Sequence, residues 1–150
     1  MQRSISYKNP LAPYLYVVAF LLYTALSGIY LFLPPLLSIL FIYFSKALKK
    51  EDPVSLFLIS ACLLLFEAEN GYVLFSTVIY FAVIYRYVMP KITQSLGCNS
   101  CIKLLSVILV YIGFFVFHSV LSSVFLLPEP SIDYYVIYYI AIEFLIMSIL

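Results

Sequence analysis

The chain has 150 residues, 65% of them hydrophobic and 10% charged, with a formal net charge of +1 and a mean hydropathy of +1.12. So neutral a chain lacks the basic field that nucleic-acid binding needs, and four glycines leave little from which to build phosphate-cradling turns. Runs of about 18 or more apolar residues read as membrane spans, so the composition predicts one all-α, polytopic domain in contact with lipid and leaves no length for a separate soluble domain.

From Asn9 to Ser45 there are 37 residues without a formal charge, enough for two crossings at about 20 residues each. Pro34-Pro35 supplies the break, because proline donates no backbone N–H and disfavours helix in the residue before it; the expected turn lies at a membrane surface. Spans are predicted over about 11–33 and 35–48, then over 53–68 and 71–90, with Glu67-Ala-Glu69-Asn70-Gly71 between the second pair. Asn-Gly is a turn signal, since both residues tolerate positive φ. The block from Leu104 to Leu127 carries only His118 and predicts a span over 103–127. Pro128-Glu129-Pro130 closes it, and 132–150 makes the sixth. The first apolar stretch has no small-residue cleavage site and reads as an uncleaved span.

The basic residues test this count independently, because connections carrying Lys and Arg are retained in the cytoplasm. Arg3 and Lys8 precede the first span, Lys46, Lys49 and Lys50 follow the second, and Arg86, Lys91 and Lys103 lie around the fourth-to-fifth connection. All three clusters then share one face, and both termini are expected in the cytoplasm. An even number of crossings is required between clusters, which argues against one long helix from Pro53 to Tyr85.

Cys62 falls in a predicted span, and Cys98 and Cys101 fall in a connection assigned to the reducing side, so no disulfide framework is expected. Cys98-x-x-Cys101 offers two thiols where a structural zinc takes about four ligands, and the only histidine is assigned far from them. No metal and no cofactor is expected. Nor does any nucleophile, base and orienting group stand at a recognisable spacing, and the chain is read as not an enzyme.

Ionisable residues inside spans are costly and become the candidates for function. Glu143 lies ten residues from Asp133, about 15 Å along a helix; His118 lies ten residues before Pro128 at a similar depth. A helical hairpin sets them level, where they either share a hydrogen bond or ion pair, or act separately as interhelical glue. Tyr135, Tyr139 and Glu143 recur every four residues and share one helix face. Fourteen to sixteen residues on either side of Glu67-Ala-Glu69-Asn70-Gly71 span about 21–24 Å, short of a core about 30 Å thick. Its tip is then either held below the surface or an ordinary exposed turn. The expectation is an outward-facing working face made by Glu67, Glu69, Asn70, Gly71, His118, Tyr135, Tyr139 and Glu143. Ser27-Gly28 and Ser119, Ser122 and Ser123 are further candidates for close helix approach.

Glu67-Ala-Glu69-Asn70-Gly71-Tyr72-Val73-Leu74 resembles the central hairpin of the MreD family of rod shape-determining membrane proteins, with Glu in place of the usual Asp. Leu127-Pro128-Glu129 is similar to the proline-containing loop before that family's last span, and the likeness covers roughly residues 36–150. The resemblance implies a non-enzymatic component of the bacterial cell-elongation machinery in the inner membrane. Its implied partners are an MreC-like periplasmic protein and, through it, MreB filaments, the transpeptidase and the RodA glycosyltransferase that build peptidoglycan. The family is also similar in fold to the substrate-binding subunits of energy-coupling-factor vitamin transporters, which implies a solute-binding transport subunit as the alternative.

Overall fold

A computed structural model describes residues 11–129, 131 and 133–149, and every element among them is helical. Arg3, Lys8, Pro130, Ile132 and Leu150 lie outside the described residues. Six helices follow one another: α1 (Ala12–Ile29), α2 (Leu37–Lys50), α3 (Pro53–Asn70), α4 (76–95), α5 (Asn99–Phe125) and α6 (Tyr135–Ile149). Helix α4 is continuous through three parts, α-helical Ser76–Val83, π-helical Ile84–Val88 and α-helical Met89–Ser95. Three of the six, α1, α3 and α5, are long and apolar enough to cross a membrane.

Local sequence explains most of the boundaries. Pro13 and Pro53 stand in the first turns of α1 and α3, where a missing N–H costs nothing and a fixed φ favours the helix. Gly71 ends α3 with φ of +71°, the left-handed cap that glycine adopts without strain. Lys49 and Lys50 sit in the last turn of α2, against the negative end of its dipole. The π-turn in α4 stands directly before Pro90, whose ring would otherwise meet the carbonyl of Arg86 and whose absent N–H cannot bond to it; widening the turn relieves both.

The helix bounds differ from the sequence expectation at several ends: α1 stops at Ile29 rather than 33, α4 begins at Ser76 rather than 71 and α5 at Asn99 rather than 103. Helix α2 continues through Lys46 to Lys50, and α4 continues past Pro90 to Ser95, in each case because a side chain or a widened turn lets the helix carry on through residues that look like terminators. Glu67, Glu69 and Asn70 belong to the last turns of α3, so the connection runs over 71–75. Pro34 is buried rather than set at a surface, because the strand of chain from α1 to α2 turns inward before α2 begins.

The core is aromatic and aliphatic. Phe41 and Phe44 of α2 meet Phe81 of α4 edge to face at 5.2 and 6.0 Å, geometry that aromatic quadrupoles prefer. Leu63 and Phe66 of α3, Val107, Val110 and Phe114 of α5 and Met147 of α6 complete the cluster. Helix α2 is central, packing on α3, α5 and α6, while α4 lies across α3 and α5. Helix α1 packs on α3 and buries only Thr24. Leu15, Val18, Leu22, Leu26 and Ile29 of α1 are each about half to three-quarters exposed, and their spacing puts them on one face.

Candidate functional site

Two glutamates have no exposed surface, Glu67 and Glu143, and both close the N-terminus of another helix. Glu67 Oε2 accepts from the Phe75 backbone N–H at 2.7 Å, while Oε1 accepts from the Thr77 N–H and from Ser76 Oγ at 3.2 Å. Glu143 Oε2 accepts from the Ser38 N–H at 2.9 Å, and its Oε1 accepts from the Tyr111 hydroxyl. The first amides of a helix have no partner within it and carry the positive end of its dipole, so a carboxylate there satisfies both demands.

The two caps are built alike. In each, a non-glycine residue in the left-handed region, Leu36 at φ 55° or Phe75 at φ 67°, turns the chain into α2 or α4. The amide two residues later, Ser38 or Thr77, meets the carboxylate. The N-cap positions are held by Leu36 and Phe75, whose side chains cannot accept a hydrogen bond, so the capping falls to a glutamate from another helix; the hydroxyls of Ser38 and Thr77, two residues further on, are buried without a partner.

The connection between α1 and α2 is held by tyrosines. Tyr23 donates to the Pro34 carbonyl at 2.7 Å, and Tyr139 donates to the Leu31 carbonyl. Together with Glu143 these bonds tie down irregular backbone that runs from exposed Leu31 to buried Pro34. Glu143 is eight residues into α6 from Tyr135, about 12 Å, and α2 begins at that level. Above its start is a cavity of about 410 Å³, lined by Thr24, Ser27 and Gly28 of α1, Glu69 and Asn70 of α3, and Tyr72, Tyr111, Asp133, Tyr135 and Tyr139. Among the described residues no basic side chain lines it. Two carboxylates and several tyrosine rings make it a place for positive charge or for a flat ring.

No protein-family model, curated protein or solved structure matches the chain.

Of the residues expected to form one working face, Glu69, Asn70, Tyr135 and Tyr139 come together around this cavity. Glu67, Glu143 and His118 lie behind its wall. The His118–Glu143 pairing does not form, because Ser38 and Tyr111 occupy the Glu143 carboxylate. His118 instead packs between the rings of Phe114 and Tyr72, at 4.2 and 4.5 Å between centroids, and its Nε2 is buried without a partner. Gly71 serves as the α3 cap. Tyr111 and Tyr72 were not singled out from the sequence; their signal is a tyrosine inside an otherwise apolar helix and one directly after a turn glycine, neither distinctive in a chain with 15 tyrosines.

Among the described residues no three His, Cys, Asp or Glu side chains gather in a way that could hold a metal ion. Cys98 and Cys101 are exposed and free, and Cys62 is buried. The Cys101 side chain, by hydrogen bonding to Cys98, holds the Cys98 thiol below its ordinary pKa.

Proposed function

We propose that this chain is a six-span protein of the bacterial cytoplasmic membrane, both termini in the cytoplasm, that acts without catalysis by offering helix faces to other membrane proteins. The observation that carries this reading is the use of the two buried carboxylates. Both are spent inside the protein, on helix-start backbone amides and on the Ser76 and Tyr111 hydroxyls, which leaves apolar helix faces as the surface for contact. Large apolar side chains exposed on this scale need lipid or partner protein around them. The face of α1 made by Leu15, Val18, Leu22, Leu26 and Ile29 is the most prominent, since that helix adds so little to the interior.

The likeness of residues 67–74 and 127–129 to the MreD family directs this reading to the cell-elongation complex, with an MreC-like periplasmic protein as the partner. Cross-linking in cells followed by purification of the tagged full chain tests it. Recovery of a periplasmic coiled-coil protein, reduced by Val18→Arg together with Leu22→Arg while membrane insertion persists, supports the role. Recovery of the chain without any elongation protein refutes it.

A second reading, a solute-binding subunit of a transporter, is favoured by one observation, the cavity bearing Glu69, Asp133 and tyrosine rings. A thermal shift with a cationic or aromatic vitamin, abolished by Glu69→Gln, supports that reading. No shift across such a panel counts against it.

A further inference from the structure

At the opposite end of the bundle the helices leave a larger cleft, about 780 Å³, between α2, α4, α5 and the end of α6. Lys46 and Lys49 reach it from one face of α2, Arg86 from the π-turn of α4, and Lys103 from the first turns of α5. No acidic residue lines it; Glu51 and Asp52, in the adjoining connection, stay outside. Its floor is apolar, with Phe41, Met89 and Met147 among the lining residues. Lys103 donates to the Met147 carbonyl at 3.2 Å, which fixes its ammonium at the mouth and leaves two of its three donors free.

We propose that this cleft binds a membrane lipid with an anionic phosphate headgroup, the phosphate held by Lys46, Lys49, Arg86 and Lys103 and an acyl chain lying on the apolar floor. Retaining a connection in the cytoplasm needs only positive charge near the membrane face. It does not need four cations from three helices to converge on one apolar-floored cleft. Such a combination complements a molecule that is anionic at one end and hydrocarbon at the other, and basic pockets between helices on the cytoplasmic side are suited to anionic headgroups. The Arg86 fork can take two phosphate oxygens at once, with the lysines adding point charge. The π-turn that Pro90 requires is also what turns this part of α4 relative to the helix before it. The inference rests on the proposed membrane placement and is independent of the scaffold role.

The full chain, purified in a neutral detergent, is offered phosphatidylglycerol, phosphatidylcholine or inorganic phosphate, and bound lipid is counted by native mass spectrometry alongside thermal stability. One tightly retained phosphatidylglycerol per chain is expected, with a preference over phosphatidylcholine that falls roughly tenfold or more in K46Q/K49Q/R86Q. The control K50Q/K91Q, which changes basic residues outside the cleft, should keep the preference. Equal retention of the two lipids overturns the proposal, as does a shift with inorganic phosphate equal to that with phosphatidylglycerol, which would mark a simple anion site. Should the triple variant not fold, photoactivatable phosphatidylglycerol on the unaltered chain decides the matter. Cross-links concentrated in 39–49 and 85–93 support the site, and an even spread over all helices refutes it. Recovery of the chain in the soluble fraction without detergent would instead refute the membrane placement itself.

Discussion

Glu67 and Glu143 are both acidic residues near or within an apolar run, yet their partners differ in a way that a conservative change exposes. Both oxygens of Glu67 receive backbone N–H groups, which cannot reverse direction. Glu67→Gln therefore sets an NH2 against an amide hydrogen whichever way it is flipped. Glu143 receives one backbone N–H and one tyrosine hydroxyl; Glu143→Gln can keep its oxygen on Ser38 and donate to Tyr111, whose hydroxyl also accepts. Unfolding of the purified variants in detergent should show Glu67→Gln destabilised by roughly 2–4 kcal/mol and Glu143→Gln by less than about 1.5 kcal/mol. The reverse order would contradict the capping roles. That Glu143 needs partners within the fold was legible in the sequence, because charge inside apolar helices is costly. What it binds was not, since Glu143 and Ser38 are 105 residues apart and no local pattern links them. The same holds for His118, whose depth matches Glu143 but whose ring is surrounded by aromatic neighbours.

Among the elements, six helical blocks and their order could be read from uncharged runs and punctuating prolines, whereas their ends could not. Pro90 looks like a terminator, but a proline is tolerated after a π-turn, and the lysines that carry α2 on to Lys50 are favoured at a helix C-terminus by the dipole. The inward course of 33–36 was hidden for a different reason: Pro34-Pro35 marks a turn without stating its depth, which Tyr23, Tyr139 and Glu143 determine from other helices. Packing of α4 on α5 turns on Gly113, where an added Cβ would overlap the Tyr80 hydroxyl and come within 3.0 Å of its Cζ. That hydroxyl donates to the Leu109 carbonyl at 2.8 Å. Gly113→Ala should cost roughly 1–3 kcal/mol through this overlap. Tyr80→Phe, mildly destabilising alone, should recover part of that loss when combined with it, because the colliding oxygen is gone. A double-mutant cycle measures the coupling; strictly additive effects would place the close approach elsewhere.

For the whole molecule, the proposed arrangement depends on the two ends of the bundle being chemically unlike. Four of the six described basic residues, Lys46, Lys49, Arg86 and Lys103, converge on one cleft, while Glu69 and Asp133 line the cavity at the other end. Charge asymmetry of this kind orients a multi-span protein, and it was legible from the clustering of lysines and arginines before any geometry was known. The two chambers were not, because each is assembled from helix ends far apart in the chain. Cys98 provides an intrinsic probe of orientation. It is exposed in the connection between α4 and α5, beside the basic cleft, and the Cys101 hydrogen bond keeps its thiol pKa low, which raises the thiolate fraction that reacts. Cys62 is buried and should stay silent. In intact cells a membrane-impermeant maleimide should leave Cys98 unmodified, and the same reagent should label it rapidly once the cytoplasmic membrane is permeabilised. Labelling of Cys98 from outside intact cells would contradict the six-span arrangement.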